Sequence, residues 1–276
     1  MLLHYCPTIK SSNFILQLYI MLGDLKIGLV LSGGGIRGLA HLGFLKALKE
    51  KGFIIDHITG SSAGAISGAL FAAGYDPDDM YRLFMKIKLY RFIRPVLMGK
   101  GLFNMELTSK IYHELIPHNS FEKLKTRLTI TAVNLNDNRL EFVNHGELIP
   151  MILASGTVPG LFQPIRYQGK MYIDGGVLNN FPVEPLLGDC EYIIGGNCND
   201  IGYIDPTTLS MKRMIERAAI LRLNTDFTSK AHNCNLLFNP PSLGDYSGFE
   251  VRFADYLFHV GYEHAMQVIE EHFGEY

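Results

Sequence analysis

The sequence predicts an α/β fold in which helices cover both faces of a mostly parallel sheet. Short apolar runs typical of buried strands alternate along the chain with segments of helical periodicity. Glycine-rich turns follow the strand-like runs at residues 26–31 and 53–59 and lead directly into helices. Hydrophobic residues form 47% of the 276 residues and charged residues 19%, which is typical of a globular protein.

The individual elements follow from local patterns. Leucines recur every three residues from Leu39 to Leu48, and Gly52 stands where the C-terminal cap of that helix belongs. A helix of small residues over 62–73 is closed by Gly74, and Asp76 opens the next helix. Further helices are predicted over residues 105–116, 208–222 and 254–272. Further strands are predicted over residues 128–135, 140–144, 171–173, 192–194 and 236–238.

The chain has no internal repeat, low-complexity tract or linker-like break in composition. We therefore expect one domain over residues 21–276. Residues 1–20 are expected to be an N-terminal extension, because Met21 stands just before the first strand-like run. The apolar run at 14–22 is too short to span a bilayer.

Charge and cysteine content narrow the function classes. A net charge of -2 gives no basic footprint for nucleic acid, so we expect no nucleic-acid partner. The cysteines at positions 6, 190, 198 and 234 form no Cys-x-x-Cys pair, and their spacing is unlike a zinc site. We expect reduced thiols in a cytoplasmic protein, with no metal and no cofactor.

Ser62 is the candidate nucleophile. It lies in Gly60-Ser61-Ser62-Ala63-Gly64, between an apolar strand and a helix of small residues. A sharp strand-to-helix turn exposes a serine hydroxyl, and glycines at Gly60 and Gly64 remove side chains that would collide there. The following helix also directs its N-terminal amides at developing negative charge. The alternative is a glycine-rich connection in which Ser61 or Ser62 caps the helix.

The loop at residues 33–38 permits two interpretations. Its sequence, Gly-Gly-Gly-Ile-Arg-Gly, fits the dinucleotide fingerprint, and Asp56 stands where a ribose-binding acid is expected. This rival predicts an oxidoreductase that binds a nicotinamide or flavin cofactor. Alternatively, the backbone amides of Gly33, Gly34 and Gly35 form an oxyanion hole, with Arg37 and Gly38 supporting the loop. Arg37 then either adds positive charge, braces the loop or forms a structural ion pair.

The base that partners Ser62 is predicted to be Asp174. The histidines lie in no turn-rich or glycine-rich context, whereas Asp174 ends a strand and precedes Gly175 and Gly176. Ligands gather at the carboxyl ends of strands in open parallel sheets. The competing interpretation makes Asp174 an ordinary turn residue. As a base, Asp174 requires burial that raises its basicity.

Four blocks in order resemble the patatin-like phospholipases, a family of lipid acyl hydrolases. The glycine loop at 33–38 is similar to the oxyanion loop of that family, and residues 60–64 are similar to its nucleophile segment. Residues 154–162 match its ASxxxPxxF block, and Asp174-Gly175-Gly176 matches the block with the catalytic aspartate. The resemblance covers about residues 25–200 and is greatest to the compact bacterial members.

The resemblance implies a three-layer α/β/α fold and a calcium-independent reaction. It implies that Ser62 and Asp174 form a dyad without histidine, and that the substrates are fatty-acyl esters of phospholipids or related lipids. A catalytically silent member that binds lipid or protein is a further alternative. Residues 201–276 match no block of the family.

Residues 82–100 contain six basic residues interleaved with apolar ones and no acid. Such a stretch suits peripheral contact with an anionic membrane. It also suits a lid over the active site, or a packed helix with a charged, solvated face.

Overall fold

The computed structural model describes residues 22–87, 94–95, 103–104, 108–203, 210–246 and 251–274. The expected extension at 1–20 and most of the basic stretch at 82–100 lie outside these residues. The strands are β1 (Ile27–Leu31), β2 (His57–Gly60), β3 (Arg94–Pro95), β4 (Phe103–Asn104), β5 (Arg127–Asn134), β6 (Arg139–Val143), β7 (Ile165–Tyr167), β8 (Lys170–Asp174), β9 (Tyr192–Gly196) and β10 (Leu236–Phe238). The helices are α1 (Leu39–Glu50), α2 (Ala63–Ala73), α3 (Pro77–Lys86), α4 (Ser109–Leu115), α5 (Leu148–Ser155), α6 (Met211–Leu223), α7 (Phe227–Ala231) and α8 (Ala254–Phe273).

The main sheet has the strand order β10-β9-β1-β2-β5-β8-β7, and β6 also pairs with β5. The five strands from β10 to β5 are parallel, whereas β6, β7 and β8 run antiparallel to their neighbours. Leu31 pairs with Gly60, so β1 and β2 end side by side. The loop after β1 and the turn after β2 therefore meet at the carboxyl edge of the sheet, where ligands of open α/β sheets bind.

Buried residues on the two faces of the sheet form two clusters. The larger cluster runs from Leu22 to Phe273 and joins α1, α2, α5 and α8 to one face. The smaller cluster lies on the other face, where Val30 and Ile193 contact Phe181, and the partly buried Phe227 of α7 packs against it. Successive residues of β1 alternate between these clusters, as strand geometry requires. The molecule is therefore a three-layer α/β/α protein with a mostly parallel sheet, as the sequence predicted.

Two helix ends match the sequence predictions closely. Gly52 follows α1 with a φ of 82°, and Gly74 ends α2 with a φ of 99°, a region that favours glycine. The predicted strand over 53–59 is shorter than expected, because β2 begins at His57. The Phe53 amide instead donates to the carbonyl of Leu48, which places Phe53 in the turn that closes α1.

Among the described residues, no helix combines the length and the apolar character that crossing a membrane requires.

Candidate active site

Ser62 lies in the turn between β2 and α2 with a strained backbone. Its φ of 51° and ψ of -121° lie where residues other than glycine are rarely found, and such strain costs about 1–3 kcal/mol. Its amide donates a hydrogen bond of 2.8 Å to Oγ of Ser155, the last residue of α5. The Ser62 side chain makes no cap hydrogen bond to α2. The helix-capping alternative for Ser62 is therefore wrong, and its hydroxyl remains available for other contacts.

Close backbone packing explains the glycines on either side of Ser62. A Cβ at Gly60 would lie 2.6 Å from the carbonyl oxygen of Gly64. A Cβ at Gly64 would lie 2.3 Å from the carbonyl oxygen of Leu31. Gly38 is similarly constrained, because a Cβ there would lie 2.5 Å from Cβ of Ala63. The turn that carries Ser62 thus excludes side chains at all three glycines.

Asp174 ends β8 and is 95% shielded from solvent, with a relative exposure of 5%. Its Oδ1 accepts a hydrogen bond of 2.7 Å from the Gly176 amide. Burial raises the pKa of the carboxyl from 3.8 to about 6, although hydrogen bonding from the Ser62 side chain and the Gly176 amide opposes that rise. The burial and the raised basicity expected from the sequence are therefore confirmed.

The strand that carries Asp174 runs in a different direction from the one that the sequence predicted. β8 is antiparallel to β5, and Asp174 pairs with Ala132, so the carboxylate does not stand at the end of a parallel strand. β5 extends beyond its pairing with β2, which stops at Ile130. The end of β8 therefore lies beside the Ser62 turn. Gly175 allows this approach, since a Cβ there would lie 2.3 Å from Oγ1 of Thr131.

The glycine loop after β1 packs directly against Ser62. A Cβ at Gly33 would lie 3.0 Å from Cβ of Ser62. The Gly33 amide donates to the carbonyl oxygen of Asn180 at 3.2 Å. The amides of Gly34 and Gly35 have no acceptor among the described residues.

Arg37 supports the glycine loop through hydrogen bonds that pass by way of Asn199. It is buried, and its Nη2 donates to Oδ1 of Asn199 at 2.8 Å. Nδ2 of Asn199 donates in turn to the carbonyl oxygen of Gly33 at 2.5 Å. Burial lowers the pKa of Arg37, while the negative charges of Glu216 and Asp200 oppose that shift. Of the roles considered for Arg37, the bracing of the loop is the one that the hydrogen bonds support.

An apolar cavity of about 530 Å³ opens beside Ser62. The glycine loop, α1, α2, α3 and α4 contribute to its walls, as do residues that follow α5. Its apolar lining includes Leu42, Ile66, Leu70, Met80, Leu115 and Phe162. A cavity of this size and character suits the hydrocarbon part of a small ligand.

Residues 29–187 match the family model described as patatin-like phospholipase. The chain belongs to this family. It is 32% identical over 215 residues to lysophospholipase NTE1 of Candida glabrata, a match that covers 74% of this chain and 12% of that protein. It is 30% identical over 165 residues to an uncharacterised NTE family protein of Mycobacterium bovis, covering 59% of this chain and 46% of that protein. The chain thus spans less than half the length of these relatives.

The fold agrees with this assignment. The crystal structure of VipD from Legionella pneumophila superposes with a TM-score of 0.60 at 16% sequence identity. The superposition covers 90% of this chain and 67% of that one. This likeness shows the shared patatin-like fold.

The geometry contradicts the dinucleotide-binding alternative. Asp56 precedes β2, and its Oδ2 accepts a hydrogen bond of 2.8 Å from the amide of Ile27, the first residue of β1. Asp56 therefore lies at the amino edge of the sheet, whereas the loop at residues 33–38 lies at the carboxyl edge. The structure does not bring the two halves of that predicted site together.

The described histidines make no hydrogen bond to Ser62. His41 lies beneath the glycine loop, where Nε2 contacts the carbonyl oxygen of Ser32 at 2.8 Å and burial lowers its pKa to about 4. His57 lies at the amino edge of the sheet, where it contacts Asp189 and Thr129 at 2.9 Å each. Both histidines have structural contacts in this patatin-like protein.

Sequence reasoning missed three residues that shape the site: Ser155, Asn180 and Asn199. Ser155 stands in the recognised block at 154–162, but its contact with Ser62 joins residues 93 positions apart. Asn180 accepts from the Gly33 amide, and its Oδ1 would lie 2.9 Å from a Cβ at Gly176. The three residues between Gly176 and Asn180 do not signal this contact. Asn199 follows β9 without a recognisable pattern.

Proposed function

We propose that this protein is a serine hydrolase that cleaves fatty-acyl esters of phospholipids or related lipids. In this proposal Ser62 is the nucleophile and Asp174 is its base. The observation that carries it is the arrangement of a strained Ser62 between a buried Asp174 and an apolar cavity. Strain at a nucleophile turn, a carboxyl with raised basicity and an acyl-sized cavity are what such a reaction requires.

In the acylation step, Oγ of Ser62 attacks the carbonyl carbon of the ester while Asp174 accepts the hydroxyl proton. The carbonyl double bond opens, and its oxygen becomes the oxyanion of a tetrahedral intermediate. Collapse of that intermediate breaks the bond to the leaving alcohol, which takes the proton from Asp174. The fatty-acyl group then remains as an ester on Ser62.

The oxyanion is stabilised by backbone amides at the carboxyl edge of the sheet. The Gly34 and Gly35 amides are free among the described residues, and the Ala63 amide, at the start of α2, has no intrahelical acceptor. The Gly33 amide is already engaged with Asn180, so Gly33 supports the loop instead of binding the oxyanion. Each such donor typically lowers a barrier by about 3–4 kcal/mol.

Deacylation reverses these roles with water as the nucleophile. Asp174 takes a proton from water as the water oxygen attacks the acyl carbon. The second tetrahedral intermediate collapses, the fatty acid leaves, and the proton returns from Asp174 to Oγ of Ser62. A pKa near 6 leaves Asp174 ionised at neutral pH yet more basic than an ordinary aspartate.

The cavity supports a substrate with a single long acyl chain beside Ser62. A cavity of about 530 Å³ is within the size range of pockets that bind small apolar ligands, and its apolar lining suits a fatty-acyl chain. The likeness to lysophospholipase NTE1 supports monoacyl phospholipids as substrates.

A fluorophosphonate probe tests the proposal directly. We expect the wild-type protein to be labelled and the Ser62→Ala variant to remain unlabelled. The Asp174→Asn variant is expected to fold but to lose turnover, because its amide cannot accept the serine proton. Mass spectrometry of a lipid extract treated with the enzyme then identifies the ester that is cleaved.

Two controls make this test specific. Ser229 lies in α7, where its Oγ donates to the carbonyl oxygen of Asp226, so Ser229→Ala controls for loss of a serine hydroxyl. It is expected to be labelled and active. Labelling that survives Ser62→Ala, or full activity in Asp174→Asn, would overturn the assignment.

A further inference from the structure

Helix α6 carries an apolar face that the described part of the protein does not cover. The side chains of Met211, Met214, Ile215, Ala218 and Leu221 are all exposed, and Ile215 retains 63% of its accessible surface. The first four recur at the i, i+3, i+4 and i+7 spacing that places residues on one side of a helix. A contiguous exposed face of this kind indicates an interaction surface.

The opposite side of α6 holds the helix on the protein. Glu216, Arg217, Ile220 and Leu223 are half-buried. Nη2 of Arg217 donates to the carbonyl oxygen of Gly202 at 2.7 Å. The apolar face of α6 therefore points outward because the polar and partly buried side is the one that contacts the rest of the chain.

The charge of α6 is positive. Its sequence contains four basic residues and one acid, Glu216, which gives a net charge of 4 − 1 = +3. Arg222 is exposed and lies on the same side of the helix as Met211, Ile215 and Ala218. An exposed apolar helical face that also carries a cation complements an anionic lipid surface, in which the apolar groups enter the acyl boundary and the cation contacts headgroups.

The end of α6 lies beside the Asp174 segment. Arg222 and Leu223 share a small cleft with Gly176, Leu178 and Asn180. Leu178 is itself exposed, as is Val177, so apolar surface continues from the helix towards the site.

An exposed aromatic residue lies near the anchored side of α6. Tyr203 stands next to Gly202, the acceptor of Arg217, and it is 88% exposed. Tyrosine is favoured where one end of a side chain is apolar and the other is in contact with water, as at a membrane surface.

We propose that α6 is a docking helix for an anionic lipid surface and holds the carboxyl edge of the sheet against the membrane. The helix lies outside the family match over 29–187, so this assigns a role to a part of the chain that the match does not reach. The proposal concerns binding and does not depend on the hydrolytic role of Ser62.

Vesicle co-sedimentation in a Ser62→Ala background tests the docking without consuming lipid. We expect the protein to bind phosphatidylcholine vesicles that contain phosphatidylserine, and to bind vesicles of phosphatidylcholine alone only weakly. Binding to the anionic vesicles should weaken as the salt concentration rises. Replacing the arginine on this face, as Arg222→Gln, is expected to weaken binding about fivefold. Ile215→Glu is expected to weaken it about tenfold or more through loss of apolar burial.

Ile54 offers a matched control, because it is 77% exposed and lies between α1 and β2, at the amino edge of the sheet. Ile54→Glu makes the same chemical change as Ile215→Glu and is expected to leave vesicle binding intact. In the Ser62-containing protein, all these variants are expected to hydrolyse a soluble short-chain ester at the wild-type rate.

Three results would overturn the docking role. One is that Ile215→Glu binds vesicles as well as the wild-type protein does. Another is that Ile54→Glu loses as much vesicle binding as Ile215→Glu. The third is a change of oligomeric state in Ile215→Glu with vesicle binding retained, which would make α6 a contact between copies of this chain. If the wild-type protein binds vesicles but hydrolyses no ester, the proposed function fails while the docking role stands.

Discussion

The backbone amide of Ser62 donates a hydrogen bond of 2.8 Å to the side-chain oxygen of Ser155. Both residues are buried, and they belong to different elements of the fold. The bond links the strained turn after β2 to the end of α5. It therefore stabilises the backbone conformation in which the Ser62 hydroxyl faces the carboxylate of Asp174.

Replacing Ser155 with alanine is expected to lower kcat while leaving KM for a soluble ester nearly unchanged. The variant leaves the buried Ser62 amide without its acceptor, which costs about 1–3 kcal/mol. If this cost falls on the geometry of the nucleophile, the rate falls by about 5- to 150-fold. Steady-state kinetics measure the effect, with Ser229→Ala as the control. An unchanged kcat would show that Ser155 does not position Ser62.

The rate of ester hydrolysis is expected to depend on the ionisation of Asp174. Only the carboxylate form accepts a proton from Ser62, and burial raises the pKa of this group to about 6. The value of kcat/KM should therefore fall about tenfold for each pH unit below the pKa and become constant above it. A pH–rate profile with a soluble short-chain ester measures this. A profile that is flat through this region would exclude Asp174 as the base.

Asp174→Asn is expected to make the protein more stable at alkaline pH. The folded-state pKa of about 6 exceeds the ordinary value of 3.8, so folding favours the protonated carboxyl. The stability that this group contributes is present below the ordinary pKa and is lost as the pH rises through the folded-state pKa. A shift of 6 − 3.8, about 2 units, corresponds to roughly 3 kcal/mol at pH values above both.

Urea unfolding of both proteins at an alkaline and an acidic pH checks this prediction. The asparagine amide does not ionise, and its oxygen can still accept from the Gly176 amide. The advantage of the variant should therefore be large at alkaline pH and disappear below the ordinary pKa of aspartate. The same difference in stability at both pH values would contradict the raised pKa of Asp174.

Sequence patterns correctly predicted the helices and strands whose ends depend only on neighbouring residues. β10 matches its predicted bounds, and the ends of α1 and α2 follow from glycines that adopt positive φ values. Helix α5 was missed, because its sequence is apolar almost throughout and shows no amphipathic period. Its Pro150 lies in the first turn, where the missing amide removes no intrahelical hydrogen bond.

The positions of the candidate site residues were predictable, but the contacts between distant segments were not. Ser62 stands just after a strand and Asp174 at the end of one, and both lie close to glycines, which a single sequence reveals. The bonds from Asn199 to Gly33 and from Ser62 to Ser155 join residues 166 and 93 positions apart. Such contacts depend on the order of strands in the sheet, and no local pattern encodes that order.

The length of the acyl chain is expected to depend on Ser67, which lines the cavity. Ser67 follows Ser62 by five residues on α2, which places it about 7.5 Å further along the helix axis. Phenylalanine at this position fills space that the distal methylenes of a long chain would occupy. Loss of burial for two methylenes costs about 1.6 kcal/mol, so Ser67→Phe should lower kcat/KM for a long-chain ester at least tenfold relative to a short-chain ester. Ile54→Phe, an exposed substitution at the amino edge, should leave that ratio unchanged. Equal losses for both esters in Ser67→Phe would place the acyl chain outside this cavity.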